Sequence, residues 1–272
     1  MEVIKANGVR ELFNEEKIRN SLKRVGAKSD IIDKVIDEVK AKASDGITTK
    51  ALYKIVFRTL NLFGKEVAGK YNLKKAIMEL GPTGFPFEKF IAEILKADGY
   101  HTRTGEFING KCIKHEVDVI AEKESIVNMY ECKYHTTSGK YCDIKHALYV
   151  NARFVDIGIS NDYKYNKNFQ GWLITNTRFT IDAEQYGNCA GLGLISWDYP
   201  VNNSLRDIIN KSGMHPITCL TSISIKEKKE LLNRSIVLTK NLCDEPGVLK
   251  EIGLSKQKIV KALDEAKLLC SV

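Results

Sequence analysis

The chain has 272 residues, with 42 Lys and Arg against 34 Asp and Glu, a net charge of +8, and 43% hydrophobic and 8% aromatic content. That length and apolar fraction suit two compact units and an extension, and the basic balance, with a pI near 9.0, favours a polyanionic partner. Seven cysteines at 112, 132, 142, 189, 219, 243 and 270 show no C-x-x-C pair or zinc-finger spacing, and no apolar run of about 18 residues or charged leader marks a membrane or export route; a cytoplasmic protein with mostly reduced core cysteines and no membrane partner is expected.

In chain order, Val3-Ile4-Lys5-Ala6 and Val9-Arg10-Glu11-Leu12-Phe13 read as short strands around Asn7-Gly8, a dipeptide suited to a type I′ turn. Helices follow. Asn14 can cap 15–25, Ser29 can cap 30–43, Thr49 can cap 50–62, and 65–79 completes the set. Gly81-Pro82-Thr83-Gly84 is a short linker into an amphipathic helix over 86–97, with Pro86 near N1, Glu88 in the first turn, apolar residues at helical spacing and Gly99 ending it. His115 to Ile120 and Asn128 to Lys133 read as neighbouring strands joined by a hairpin through Glu122-Lys123-Glu124-Ser125.

Further on, 143–156 is helix-like, 172–175 a buried strand, 181–186 a short helix with Thr180 as candidate N-cap, and 193–197 another strand. Arg178, just before Thr180, suits either a phosphate contact or a polar loop. From 133 to 169 cations (Lys133, Lys140, Lys145, Arg153, Lys164, Lys167) alternate with aromatics such as Tyr149, Tyr163 and Tyr165, a pattern equally suited to a nucleic-acid surface and to a helix whose aromatics are core. After Pro200 the chain turns helical and charged: a helix over 203–211, a capping box at Ser224-Ile225-Lys226-Glu227, and a helix over 256–269 with Ile259, Leu263, Ala266 and Leu269 as its stripe. Leu249 to Leu254 resembles a helix-hairpin-helix DNA clamp, and is also explained by a Gly C-cap between packed helices.

The chemistry lies on the two strands. Residues two apart share a strand face, so Glu131 and Lys133 point together, and the hairpin can bring Asp118 alongside. Mg²⁺ takes oxygen ligands and keeps waters, so Asp118 and Glu131 can hold it while Lys133 orients or deprotonates a water. Charges on the wet face of a hairpin would give the same string.

With Gly81-Pro82-Thr83-Gly84-Phe85-Pro86-Phe87-Glu88, Glu116-Val117-Asp118-Val119-Ile120 and Glu131-Cys132-Lys133 in that order, the chain resembles the PD-(D/E)xK restriction-endonuclease family, specifically its Mrr-like branch. The resemblance implies an α/β restriction-endonuclease-like core, a mixed sheet flanked by helices, with Glu88, Asp118, Glu131 and Lys133 catalytic and Asp118, Glu131 and Glu88 on Mg²⁺ or Mn²⁺. Where many Mrr-type members carry Gln, this chain has Glu131, nearer the broader nuclease consensus.

The hairpin-and-helix pattern from Val3 through Lys17-Ile18, with Asp45-Gly46-Ile47-Thr48-Thr49, resembles the ATP-cone, a nucleotide-sensing module. It implies ATP or dATP as a regulatory ligand touching Val3, Lys5, Glu11, Asn14, Lys17 and Thr49, with Lys74 or Lys75 near the family's last basic position. The usual arginine after the first lysine is Ala6 here. No G-x-x-x-x-G-K-[ST] loop occurs, so energy-coupled translocation is not expected.

The expected organisation is thus 1–79 as the nucleotide-binding domain, 80–201 as the nuclease domain and 202–272 as a helical extension. The expected function is a nucleotide-regulated, Mg²⁺-dependent endonuclease on DNA, of the restriction or genome-defence type, acting as a homodimer or higher oligomer. Alternatives are a non-catalytic nucleotide-sensing DNA-binding or assembly module, or a resolvase or RNA nuclease on the same fold.

Overall fold

The computed structural model describes residues 1–5, 7–160 and 168–270, with Lys65 described in its backbone alone. Ala6, Tyr163, Lys164, Tyr165 and Lys167, to which the sequence reading gave roles, lie outside the described residues.

Strands β1 (Glu2–Ile4) and β2 (Arg10–Leu12) pair antiparallel, and helices α1 (Glu15–Arg24) and α2 (Ser29–Lys42) follow. Strand β3 (Ile47–Thr48), too short to show in the sequence, pairs parallel with β1 ahead of helix α3 (Thr49–Phe63). The hairpin turn departs from type I′, which needs positive φ at both central residues. Gly8 alone of the pair takes it, at 83°, because Lys5 N–H bonds Val9 O, Gly8 N–H bonds Lys5 O, and Asn7 Oδ1 accepts from Val9 N–H in a longer loop.

Caps shift by a residue from expectation. Asn14 does cap α1, accepting from Lys17 N–H. Thr48 rather than Thr49 caps α3, accepting from Ala51 N–H, and α2 begins at Ser29 with Lys28 before it and no side-chain cap. The single helix expected over 65–79 is two, α4 (Lys65–Tyr71) and α5 (Leu73–Met78). Asn72 marks the break, buried and accepting from Tyr53 Oη at 2.5 Å through its side chain.

Helix α6 (Phe85–Ala97) starts with Pro in its first turn and stops at Gly99, whose φ of 86° only glycine takes without strain. Then come β4 (His101–Asn109), β5 (Lys114–Lys123), β6 (Ile126–Lys133), β7 (Tyr141–Cys142) and α7 (Ile144–Gly158), capped by Asp143. Next are β8 (Phe169–Thr175), β9 (Arg178–Phe179), α8 (Ile181–Ala190), capped by Thr180, and β10 (Gly193–Ile195). The central sheet has the order β10-β8-β6-β5-β4, with β4, β5 and β6 antiparallel and β6, β8 and β10 parallel. The expected mixed sheet flanked by helices is present. Edge strand β4, which the sequence reading lacks, is mostly half-exposed and so has no apolar alternation to betray it.

The sheet's faces hold separate cores. On one, Phe87, Phe90 and Ile91 of α6 meet Val119, Ala121, Tyr130 and Ile174. On the other, Val150, Phe154 and Ile157 of α7 meet Ile120, Met129 and Leu173. Gly171 permits the second contact, since a Cβ there would sit 2.5 Å from the Phe154 ring. Burying Phe87 and Phe90 contributes about 1.5–3 kcal/mol each.

The C-terminal helices α9 (Leu205–Ser212), α10 (Ile225–Asn233), α11 (Thr239–Asp244), α12 (Gly247–Glu251) and α13 (Lys256–Cys270) join the α6 core instead of forming an appendage. Ser204 and Ser224 cap α9 and α10 with full capping boxes. Leu249 and Leu254 are buried on either side of Gly253, at φ 81°, so that segment is a Gly-ended helix packed on its neighbours. Helix α5 belongs to the same core: Thr218 Oγ1 donates to Ala76 O at 2.6 Å, and Tyr134 Oη donates to Met78 O at 2.8 Å. Residues 18–71 carry their own core around Leu22, Val35, Ile36 and Leu60. Cys132, Cys142 and Cys219 are buried as expected, whereas Cys112 and Cys189 are exposed. Among the described residues, no helix is long and apolar enough to cross a membrane.

Candidate active site and nucleotide pocket

Strands β5 and β6 stop pairing at Val119 and Tyr130, just where the chemistry-bearing residues begin. Beyond that point Asp118 Oδ2 accepts from Cys132 N–H at 2.7 Å, so a carboxylate spans the gap the ladder leaves. On the other side of β5, the pairing with β4 skips the pair Gly105 and Asp118, and Gly105 holds φ of 65°. Val117 and Val119, which would share a face of a regular strand, pack in opposite cores. A local kink of this kind re-aims a side chain, and here that side chain is Asp118.

Glu131 and Lys133 share a face of β6, which continues parallel to β8 as far as Lys133 opposite Thr175. Glu88 reaches the same region from α6, folded back so that its Oε1 lies 3.0 Å from the Cβ position of Gly84. Burial, then the charges of Asp118, Glu116 and Glu131, push the Glu88 carboxyl up to about 7. Burial and Asp118 do the same to Glu131, also to about 7, against the opposing pull of Arg153 and Lys133. Asp118 is raised by burial, with the Cys132 N–H and Arg153 offsetting part of it. The acids are therefore partly desolvated and repel one another, a condition typical of functional sites.

Arg153 of α7 is the residue the sequence reading missed here. In the sequence it is one of the cations that alternate with aromatics, yet its Nη1 bonds both Glu131 Oε2 and Glu116 O, the latter at 3.0 Å. Its Nη2 donates to Tyr149 Oη at 3.0 Å, and its Nε is buried without a partner. Nothing in the spacing of Glu131 and Arg153 announces the pair. The rest of that stretch divides: Tyr149 and Tyr141 are exposed, while Phe154 and Phe169 pack in or against the core. Arg178, considered for a phosphate contact, pairs with Asp198 at 2.6 Å.

Among the described residues, no three His, Cys, Asp or Glu side chains form a group that could hold a metal ion. The expected trio of Glu88, Asp118 and Glu131 is thus not assembled as a three-ligand cage, because Asp118 is turned to the Cys132 amide and Glu131 to Arg153.

In the N-terminal unit, Lys5 Nζ lies 2.7 Å and Lys17 Nζ 3.1 Å from the Glu11 carboxylate, and the two lysines hold that carboxyl below its ordinary range. Val3 is buried in β1, opposite Glu11 and Ile47, and Asn14 and Thr49 open α1 and α3 beside it. Lys74 does not join this group. Its Nζ lies 5.4 Å from the centre of the Trp197 ring.

Residues 1–78 match the ATP cone domain, and residues 215–270 match the family described as AF1548-like, C-terminal. An uncharacterized protein of Archaeoglobus fulgidus is 33% identical over 178 residues, covering 65% of this chain and 98% of its own. The crystal structure of a protein of unknown function, AF1548, is similar with a TM-score of 0.56 and 32% identity over 68% of this chain and 97% of that one. The restriction endonuclease MspJI in complex with a 27-mer oligonucleotide reaches only a TM-score of 0.33 and 15% identity, over 71% of this chain and 39% of its own, too distant to bear on function. The Mrr-like branch is not what these matches show. With a relative one-third identical along nearly its whole length and a family model matched at the C-terminal helices, the chain belongs to the AF1548-like family.

Proposed function

We propose that this protein is a nucleotide-regulated, divalent-metal-dependent endonuclease that hydrolyses phosphodiester bonds in DNA, built on a PD-(D/E)xK-type site of Glu88, Asp118, Glu131 and Lys133. The observation that carries this reading is the parting of β5 and β6, where Asp118 reaches across to the Cys132 amide, Glu131 and Lys133 share the adjoining face of β6, and burial raises the Asp118, Glu131 and Glu88 carboxyls. Mutually repelling carboxylates held out of water cost stability that a pure scaffold has no need to give up.

The donor set suits a hard cation: Mg²⁺ is held through one or two carboxylates and otherwise keeps waters, so the missing three-ligand cage is no obstacle. Asp118 and Glu131, with Glu88, would hold Mg²⁺ or Mn²⁺, which when bound lowers the pKa of a water and offsets charge on the phosphate. Lys133 orients the attacking water and offsets charge on the scissile phosphate. Arg153, seated on Glu131, keeps that carboxylate compensated in the resting protein. The N-terminal unit supplies the nucleotide response through Val3, Lys5, Glu11, Asn14, Lys17 and Thr49, with ATP or dATP as effector. The route is short: α5 ends under the Tyr134 hydroxyl, and Tyr134 follows Lys133. Cleavage of both strands calls for paired sites, so a homodimer or larger oligomer is part of the proposal.

A second reading, a nucleotide-sensing DNA-binding module without cleavage, is favoured by one feature, the guanidinium of Arg153 on the carboxylate a metal would need. Incubation of the purified protein with plasmid, modified DNA and RNA, with and without Mg²⁺ and ATP, decides between them. Metal-dependent products support the enzyme; binding without products under every condition supports the module.

A further inference from the structure

A cavity of about 220 Å³ lies between the N-terminal unit and the rest of the molecule, away from the carboxylates and from the Lys5, Glu11 and Lys17 group. Its walls come from α1 (Arg24), α4 (Lys70 and Tyr71) and α5 (Lys74) on one side and from Trp197 and α9 (Arg206 and Asn210) on the other. Four cations line it against one acid, Asp207. That acid is already engaged, accepting from Ser204 N–H at 3.2 Å and Ser204 Oγ at 2.6 Å in the capping box of α9. Its Oδ1 also accepts from Arg206 Nε and Nη2, both at 3.4 Å, so Arg206 is partly compensated.

The cations are incompletely compensated. Lys70 pairs with Glu66 at 2.6 Å, but the Arg24 Nε donates to the backbone oxygen of Asn20, and Lys74 rests on the Trp197 ring with no ion pair among the described residues. Burial lowers the Lys74 ammonium, and Arg178 and Arg206 lower it further, with Asp198 opposing them. Asn210 also lines the cavity, its Oδ1 buried without a hydrogen-bond donor.

We propose that this junction cavity is a second anion site, for a phosphoryl group carried by free pyrophosphate or by the terminal phosphates of a nucleotide. The chemistry is that of a phosphate site without a glycine loop: Arg206 and Arg24 offer planar donors, Lys74 and Lys70 point charges, and Trp197 and Tyr71 a flat wall. The volume falls below the roughly 300–1,000 Å³ typical of pockets that enclose a whole drug-sized ligand, so phosphates enter and any nucleoside stays at the mouth. Because its walls belong to both units, occupancy ties them together and raises the unfolding temperature by mass action. The inference concerns binding alone and does not rest on cleavage.

Calorimetric titration of the full chain in EDTA with inorganic pyrophosphate, and separately with ADP, tests it. Pyrophosphate should bind, keep its affinity in a Lys5→Ala/Lys17→Ala protein, and lose about 10-fold or more in Lys74→Gln and in Arg206→Gln, the loss expected for a charge-assisted contact. Arg206→Lys should restore part of it. Trp197→Phe, checked by circular dichroism, should abolish most of the ligand-induced change in tryptophan emission. Measured in the Lys5→Ala/Lys17→Ala protein and weakened by Lys74→Gln, a tighter ADP complex would name the nucleotide as source and a tighter pyrophosphate complex the free anion, and both support the site. Absence of binding by either probe, or binding unaffected by Lys74→Gln and Arg206→Gln, would overturn it.

Discussion

Replacing Glu88 by Gln should stabilise the metal-free protein above neutral pH and change it little in acid. The folded chain holds the Glu88 carboxyl up to about 7, against an ordinary 4.5, so between those limits the folded state keeps a proton the unfolded chain has released. Stability therefore falls as pH rises through that window, and the loss is complete above it. Two to three pH units at about 1.4 kcal/mol each set a ceiling of roughly 3 kcal/mol. Partial exposure and solvent screening reduce this to about 1–2 kcal/mol. Glutamine keeps the volume and removes the cost of burying the charge, together with the repulsion from Asp118, Glu116 and Glu131. Urea unfolding of both proteins in EDTA, at about pH 4.5 and about pH 8, reads the effect as a shift in midpoint at constant slope. A variant no more stable than its parent at the higher pH would refute the idea that these carboxylates crowd one another.

Lys5→Ala and Lys17→Ala should each weaken ATP or dATP binding in calorimetry by roughly 1–3 kcal/mol through loss of a charge-assisted phosphate contact; unchanged affinity in both would remove the pocket. ATP should alter subunit association or DNA affinity by about 5-fold or more, the low end of typical coupling, as read by sedimentation and by nucleotide titration with DNA in Ca²⁺. Tyr134→Phe, which frees the end of α5, should reduce that coupling, whereas an undiminished effect would deny the α5 route. Phe90→Ala should cost about 3–5 kcal/mol in urea unfolding; a cost below about 1 kcal/mol would mean α6 is not seated on the sheet as described.

What the sequence made legible follows the strength of local signals. The β5–β6 hairpin and α6 combine apolar periodicity with Gly, Pro and turn residues, and both appear where expected. Asn14, Thr180 and Ser224 cap through their own side chains, and such caps are readable because the chemistry is local. The edge strand β4 and the two-residue β3 have no such pattern, since half-exposed or very short strands need not alternate. Asn72 looks like any helix residue until Tyr53, distant in sequence, bonds its side chain and the helix breaks there. Arg153 reads as a surface cation for the same reason: its partners Glu131 and Glu116 are set by packing of α7 on the sheet, which spacing does not encode. The C-terminal helices likewise read as an extension because their apolar stripes do not say what they cover, and they cover α5 and α6.

The most direct test of the central claim is cleavage of supercoiled plasmid in Mg²⁺ by the parent protein and by Lys133→Ala, with DNA binding measured on both in Ca²⁺. Metal-dependent nicking or linearisation by the parent, absent in EDTA and abolished in a Lys133→Ala protein that still binds DNA, is the predicted result. Equal cleavage by the two proteins would contradict it.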